Sequence, residues 1–325
     1  MDRSRLRGRA ISWAKWAVAL AILFFLVRHL VRNVDQLRQV DLTLRYPQLV
    51  GALLLLVAYF VGRVFAWDLL TRRMGVAIPL RKAFPAWCYS LAGKYVPGKV
   101  FIYLTRMAFY VEQGQSKSRF TLCFFLETVF GLLALVLTAL LAFLWHGLER
   151  IPQFSYMLFA LLALFLLCLH PRLLSRAINA ARALLHKPPI ELPLGYGDML
   201  RFVLIFTANW AVACVGCFLL VNAVYPVPAS DGLYVAGAFS LASLGGILMV
   251  LAPSGLGVRE GILAVLLAQV APSSVAVVLS LAARLWFTAG ECVIIAAVFI
   301  AGRITPGSVP RPPDIPPQQP GTPDP

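Results

Sequence analysis

The residues Gly93-Lys94-Tyr95-Val96-Pro97-Gly98-Lys99 interrupt an otherwise apolar stretch from Ala83 to Glu112. That stretch is too short for two helices of about 20 residues each, the length a ~30 Å hydrocarbon core demands. Pro97 and Gly98 end or kink any helix that reaches them. Broken backbone at membrane depth is tolerated only inside protein or beside a wet cavity. The stretch therefore reads as a re-entrant helical hairpin. Leu233–Val270 repeats the pattern, broken by Ala252-Pro253-Ser254-Gly255-Leu256-Gly257-Val258-Arg259-Glu260. It reads as a second re-entrant hairpin, although Leu233–Leu251 is long enough to span alone.

Composition supplies the membrane that this reading needs. The 325 residues are 60% hydrophobic and only 13% charged, with a mean hydropathy of +0.80. So few charges cannot cover the surface of a water-soluble protein, and so apolar a chain is not disordered. Long unbroken apolar runs select helices over a barrel. The expected fold class is all-α, a polytopic integral membrane protein. Six runs read as full spans: Ile11–Val31, Gln48–Leu70, Phe120–Trp145, Phe154–Leu169, Met199–Val224 and Val275–Ala301. Residues 1–302 form the transmembrane domain. Residues 303–325 hold nine of the 22 prolines and read as a disordered cytoplasmic tail.

Charge orients the chain. The net charge is +15, from 29 Lys+Arg against 14 Asp+Glu. Cytoplasmic loops collect Lys and Arg, and anionic lipid is their counter-charge, so nucleic acid is not the expected partner. Arg3, Arg5, Arg7 and Arg9 precede the first run and place the amino terminus inside. No small-x-small cleavage site follows, so the first run reads as an uncleaved span. With both termini cytoplasmic, Arg72, Arg73, Arg81, Lys82, Lys117, Arg119, Arg172, Arg176, Arg182 and Lys187 fall inside. Arg28, Arg32, Arg38 and Arg45 break the rule in the first outer loop. The order span, hairpin, span then occurs twice with opposite orientation. That layout is an inverted repeat, and paired broken segments in such repeats point to a site near the bilayer midplane.

Charges inside apolar segments cost roughly 2.5–3.5 kcal/mol each at the bilayer centre, so they need partners or water. Arg63, Asp68, Lys94, Lys99, Arg106, Glu127, Arg259, Glu260, Arg284 and Glu291 are such charges. In the first hairpin, Pro97 and Gly98 start a new helix whose free N–H groups favour an anion, with Lys94 and Lys99 beside it. In the second, Gly255 and Gly257 shape a turn, and Arg259 can grip a phosphate through two parallel hydrogen bonds. Glu260 is an alternative partner for Arg259. Glu127 and Glu291 are expected to pair with Arg106, Arg284 or the hairpin cations, or to couple transport to protons. Arg63 and Asp68 fit a membrane surface as well as a site. Cys214-x-x-Cys217 reads as two small buried residues on one helix face. His29, His146, His170 and His186 show no metal spacing, and Ser254 has no histidine near it. No nucleotide loop and no cofactor site are expected.

The two hallmarks together resemble the lysylphosphatidylglycerol synthase/flippase transmembrane family. Lys94-Tyr95-Val96-Pro97-Gly98-Lys99-Val100, with Arg106 and Gly114 following, is similar to one of its motifs. Pro253-Ser254-Gly255-Leu256-Gly257-Val258-Arg259-Glu260-Gly261 is similar to the other, with Ser254 where glycine is usual. Arg63-x-x-x-Trp67 and Glu127 stand where related patterns occur. The likeness runs over about residues 10–302. It implies a flippase-like fold in the prokaryotic cytoplasmic membrane. The aminoacyltransferase domain of the best-known members has no counterpart in these residues, so a transporter is expected rather than a synthase. Membrane lipids, anionic or phosphate-bearing, are the expected partners, with a second copy or a lipid-pathway enzyme as protein partners. The substrate groups are expected to be Lys94, Pro97, Gly98, Lys99, Gly255, Gly257 and Arg259. Arg63, Arg106, Glu127, Glu260, Arg284 and Glu291 are expected to support or couple them. A membrane enzyme acting on a lipid-linked substrate, or a non-transporting subunit, is the alternative.

Overall fold

The computed structural model describes residues 44–95, 100–147, 152–184, 192–249 and 257–304, together with 186, 188 and 189. The expected span Ile11–Val31, the tail past Ile304, and Pro97, Gly98, Lys99 and Gly255 lie outside the described residues.

Ten α-helices and no strand occur among the described residues. They are α1 Tyr46–Arg73, α2 Leu80–Ala92, α3 Val100–Glu112, α4 Lys117–His146 and α5 Pro152–Leu169. Then come α6 Pro171–Leu184, α7 Tyr196–Val224, α8 Gly232–Leu248, α9 Val258–Leu267 and α10 Ser273–Ile304. Local chemistry sets several boundaries. Pro47 sits in the first turn of α1, where its missing N–H costs nothing. Arg72 and Arg73 close α1 against its negative dipole end. Gly114 adopts φ +75°, the left-handed turn that ends α3. The Ser116 side chain then accepts from the Arg119 N–H and opens α4.

Five helical stretches are long and apolar enough to cross a membrane: α1, α4, α7, Ala229–Leu248 and Ser273–Ala301. The expected span Phe154–Leu169 is part of α5, which bends by 82° into α6; the two make a sixth crossing if taken together. Ala229–Leu248 has the length of a span, the second of the two readings open for that segment. By contrast α2 and α3, at 13 residues each, reach only about 20 Å, short of a ~30 Å core. α9 has ten residues and is shorter still.

The packing has an internal exchange symmetry. α1 packs on α7 antiparallel along its length. The Arg45 N–H donates to the Ala223 carbonyl at one end, Asn209 donates to the Tyr59 carbonyl midway, and Arg73 pairs with Asp198 at the other. Exchanging α1 with α7, α2 with α8, α3 with α9 and α4 with α10 carries each packed pair among them into another packed pair. Thus α4 meets α8 as α10 meets α2, and α4 meets α7 as α10 meets α1. Equivalent helices that run antiparallel are what an inverted repeat requires.

The hairpin limbs α2 and α3 meet closely at Gly93. A Cβ there would lie 2.6 Å from the Ile102 nitrogen and 2.7 Å from the Phe101 carbonyl carbon. Backbone atoms cannot swing aside, so Gly93→Ala must pry the limbs apart. It is expected to lower stability by about 1–3 kcal/mol, read as the unfolding midpoint of the protein in detergent. Gly261→Ala, with nothing within 4 Å of its Cβ, is the control and is expected to hold or raise that midpoint.

Candidate functional site

The two halves enclose a cavity of about 340 Å³. This lies at the small end of the roughly 300–1,000 Å³ of small-molecule sites, a size suited to a headgroup. Its wall takes residues from both hairpins and from α1, α4, α7 and α10. Seven charges singled out from the sequence line it: Arg63, Lys94, Arg106, Glu127, Arg259, Arg284 and Glu291. They form distinct groups.

The first centres on Glu127 of α4. One carboxylate oxygen accepts from the Arg106 guanidinium at 2.6 Å, and the other from the Trp87 indole N–H at 3.1 Å. The Arg63 Nε lies 3.6 Å from that second oxygen. Arg106 also donates to the Ser90 hydroxyl at 3.1 and 3.2 Å and stacks on Trp67, 4.6 Å from its centroid. Trp67 in turn donates to the Tyr110 hydroxyl at 2.7 Å. Arg106 is only 3% exposed. Its donors face acceptors and its planar faces meet rings, which is how a buried guanidinium is stabilised. Arg63 rests over Phe206, 4.3 Å from its centroid. It needs Gly131 opposite, where a Cβ would lie 2.7 Å from its Nη2.

The second group joins the halves. Lys94, at the tip of the first hairpin, donates to Glu291 of α10. The third is Glu260 of α9. One of its oxygens accepts from the Gly257 N–H at 2.6 Å, and the other lies 3.7 Å from the Arg284 Nε. Gly257 has φ +85°, a conformation open to glycine. The amino end of α9 is thus capped by its own carboxylate. Glu260 and Gly257 stand behind the cavity wall rather than on it. Glu260 forms its ion pair with Arg284, not with its neighbour Arg259.

Arg259 is left different from the rest. No carboxylate lies within ion-pair distance of it among the described residues. Its guanidinium rests against Phe239 and Phe287, 4.9 and 4.8 Å from their centroids. Its buried Nη2 has no hydrogen-bond acceptor, and the buried Ser243 hydroxyl on the same cavity wall has no partner either. An orphaned buried donor costs about 1–3 kcal/mol, so the site is built for an acceptor.

Asp68 separates from the site. It bonds to Arg72 at 2.6 Å near the end of α1, whereas Arg63 lines the cavity. The sequence reading missed Trp87, Ser90, Phe206, Phe239 and Phe287. Aromatic and small residues in apolar runs carry no signal that separates a wall from a core. Among the described residues no cluster of three metal-ligating side chains occurs. Cys214 and Cys217 are both buried, Cys214 near Ser240 and the Ala236 carbonyl in the core.

A family model for the lysylphosphatidylglycerol synthase TM region matches residues 12–289. No curated protein matches the chain.

Proposed function

We propose a function from a plain premise: the chain belongs to the lysylphosphatidylglycerol synthase transmembrane-region family. It is a multi-pass, all-helical membrane protein of a family related to membrane phospholipid metabolism. On that premise it acts as a translocase that moves a phosphate-bearing lipid between leaflets of the prokaryotic cytoplasmic membrane. Arg259 is the observation that carries this reading. It offers an unanswered donor inside a cavity between two exchange-related halves. A guanidinium lodged against two rings with a free Nη2 can offer hydrogen-bond donors to a phosphate, and arginine can bind one through two parallel hydrogen bonds.

In this reading the headgroup enters the cavity and the acyl chains stay in lipid. Arg259 and Lys94 grip the phosphate. The Glu127 group holds the first half rigid. Glu291, bonded to Lys94, releases that lysine as the phosphate arrives. With no nucleotide motif in the chain, movement is downhill or coupled to ions. In this reading the short limbs α2, α3 and α9 enter the membrane without crossing it, from opposite faces in the two halves, as an inverted repeat would place them.

The test is lipid movement in phosphatidylcholine proteoliposomes carrying traces of acyl-labelled fluorescent phosphatidylglycerol or phosphatidic acid. A membrane-impermeant quencher reads exchange between leaflets. Wild type is expected to exceed protein-free vesicles for at least one of these lipids. The double variant Lys94→Ala/Arg259→Ala is expected to run slower by about tenfold or more, the effect of losing a charge-assisted contact. Equal rates for wild type, variant and empty vesicles overturn the proposal.

A further inference from the structure

The charges around the cavity do not cancel. Among the described residues five cations stand there: Arg63, Lys94, Arg106, Arg259 and Arg284. Three carboxylates answer them: Glu127 and Glu291 on the wall, and Glu260 behind it. The other described carboxylates lie elsewhere. Asp68 holds Arg72 and Asp198 holds Arg73 at the ends of their helices. Glu112 is exposed at the end of α3, and Asp231 precedes α8. The rest fall outside the apolar runs of the sequence. Among the described residues the excess is two positive charges in a low-dielectric setting, where each uncompensated ion costs several kcal/mol.

A guest of matching charge removes that cost. A phosphodiester headgroup carries one negative charge and leaves the cavity positive. A zwitterion leaves it more so. A terminal phosphate carries about two negative charges near neutral pH, its second ionisation lying near 6, and brings three strong acceptor oxygens. Acceptors are what the wall lacks, since Arg259 Nη2 and the Ser243 hydroxyl are both buried without one.

We propose that the cavity selects a lipid whose headgroup ends in a dianionic phosphate over one whose phosphate is a diester. This rests on the translocase reading and names the substrate class of the same site. Charge, rather than headgroup size, sets the choice.

Phosphatidic acid and phosphatidylmethanol differ by one methyl ester and by about one charge at pH 8, so they isolate the effect. Both are used as acyl-labelled tracers in phosphatidylcholine proteoliposomes. Phosphatidic acid is expected to cross about tenfold faster or more, the effect of one close charge interaction. Arg259→Gln lowers the excess to one and is expected to bring the two rates within about threefold. Equal wild-type rates, both above those of protein-free vesicles, overturn charge selection and leave translocation standing. If neither lipid crosses, translocation fails. The charge preference is then read on the wild-type protein in detergent, as thermal stabilisation by dihexanoyl phosphatidic acid against dihexanoyl phosphatidylmethanol. A larger shift with the former upholds it, and equal shifts overturn it.

Discussion

Glu127→Ala is expected to be the most destabilising single substitution among the cavity charges. It removes the acceptor of the Arg106 guanidinium, of the Trp87 indole and of the nearby Arg63 at one stroke. Arg106 cannot move to water, because α3 holds it between Trp67 and the Ser90 hydroxyl at 3% exposure. Breaking a buried pair while leaving the other charge in place costs about 3–5 kcal/mol. The readout is the thermal unfolding midpoint in detergent, together with the yield of folded protein. Arg106→Met alone strands Glu127 less severely, since Arg63 and Trp87 remain beside it. The double variant Glu127→Leu/Arg106→Met removes both charges and restores apolar contact. It is expected to be more stable than Glu127→Ala by about 2 kcal/mol or more, because a buried pair contributes little net over well-packed apolar residues. A midpoint for Glu127→Ala within error of wild type would refute the structural role given to this group.

That experiment separates what the sequence could say from what only the fold says. Charges such as Arg63, Arg106, Glu127 and Glu291 stand out in apolar runs because burial there is expensive, so each needs a partner or water. Seven of them do converge on one cavity. Their pairing was legible in outline, since Glu127 takes Arg106 and Glu291 takes the hairpin cation Lys94, both among the expected partners; the exact matches were not. Glu260 and Arg259 are neighbours in the chain, yet successive residues of a helix point about 100° apart, and Glu260 turns to Arg284 instead. The Lys94–Glu291 pair joins positions 197 residues apart, and no local rule singles out Lys94 among the candidate cations. The rings that hold Arg259 and Arg106 were equally silent, because a phenylalanine in a transmembrane run looks the same whether it faces lipid, core or cavity. The broken segments were legible through Pro and Gly, and α2, α3 and α9 are indeed too short to span. The length of Ala229–Leu248 was the open point, since Leu233–Leu251 fits either role by hydropathy alone.

Exchange symmetry of the helices does not extend to the charges, and the difference localises the site. In the first half Glu127 gathers two arginines from the same half. In the second, Glu260 serves Arg284 and the helix cap, and Glu291 reaches across to the other half. Arg259 is therefore left without a carboxylate by the asymmetry, not by a shortage of acids in its own half.

The cross-half pair gives the largest expected functional effect. Lys94→Glu would face Glu291 with a second carboxylate in a site where both are mostly buried, at 20% and 3% side-chain exposure for the native pair. Like charges at such range cost several kcal/mol. The substitution also lowers the positive excess of the cavity by two, to none. Both effects act against binding a phosphate, so translocation in the proteoliposome assay is expected to fall by about a hundredfold, equivalent to about 3 kcal/mol. Glu291→Lys places two cations together and keeps the phosphate attracted, so its loss is expected to be smaller. The swap, Lys94→Glu with Glu291→Lys, returns one charge of each sign to the contact and leaves the net charge at its native value. It is expected to recover most of the rate and the preference for a dianionic headgroup. Recovery in the swap that fails in both singles is a coupling that independent roles for the two residues would not produce. Singles and swap with equal deficits would show that Lys94 and Glu291 act separately, and would remove the pair from the mechanism.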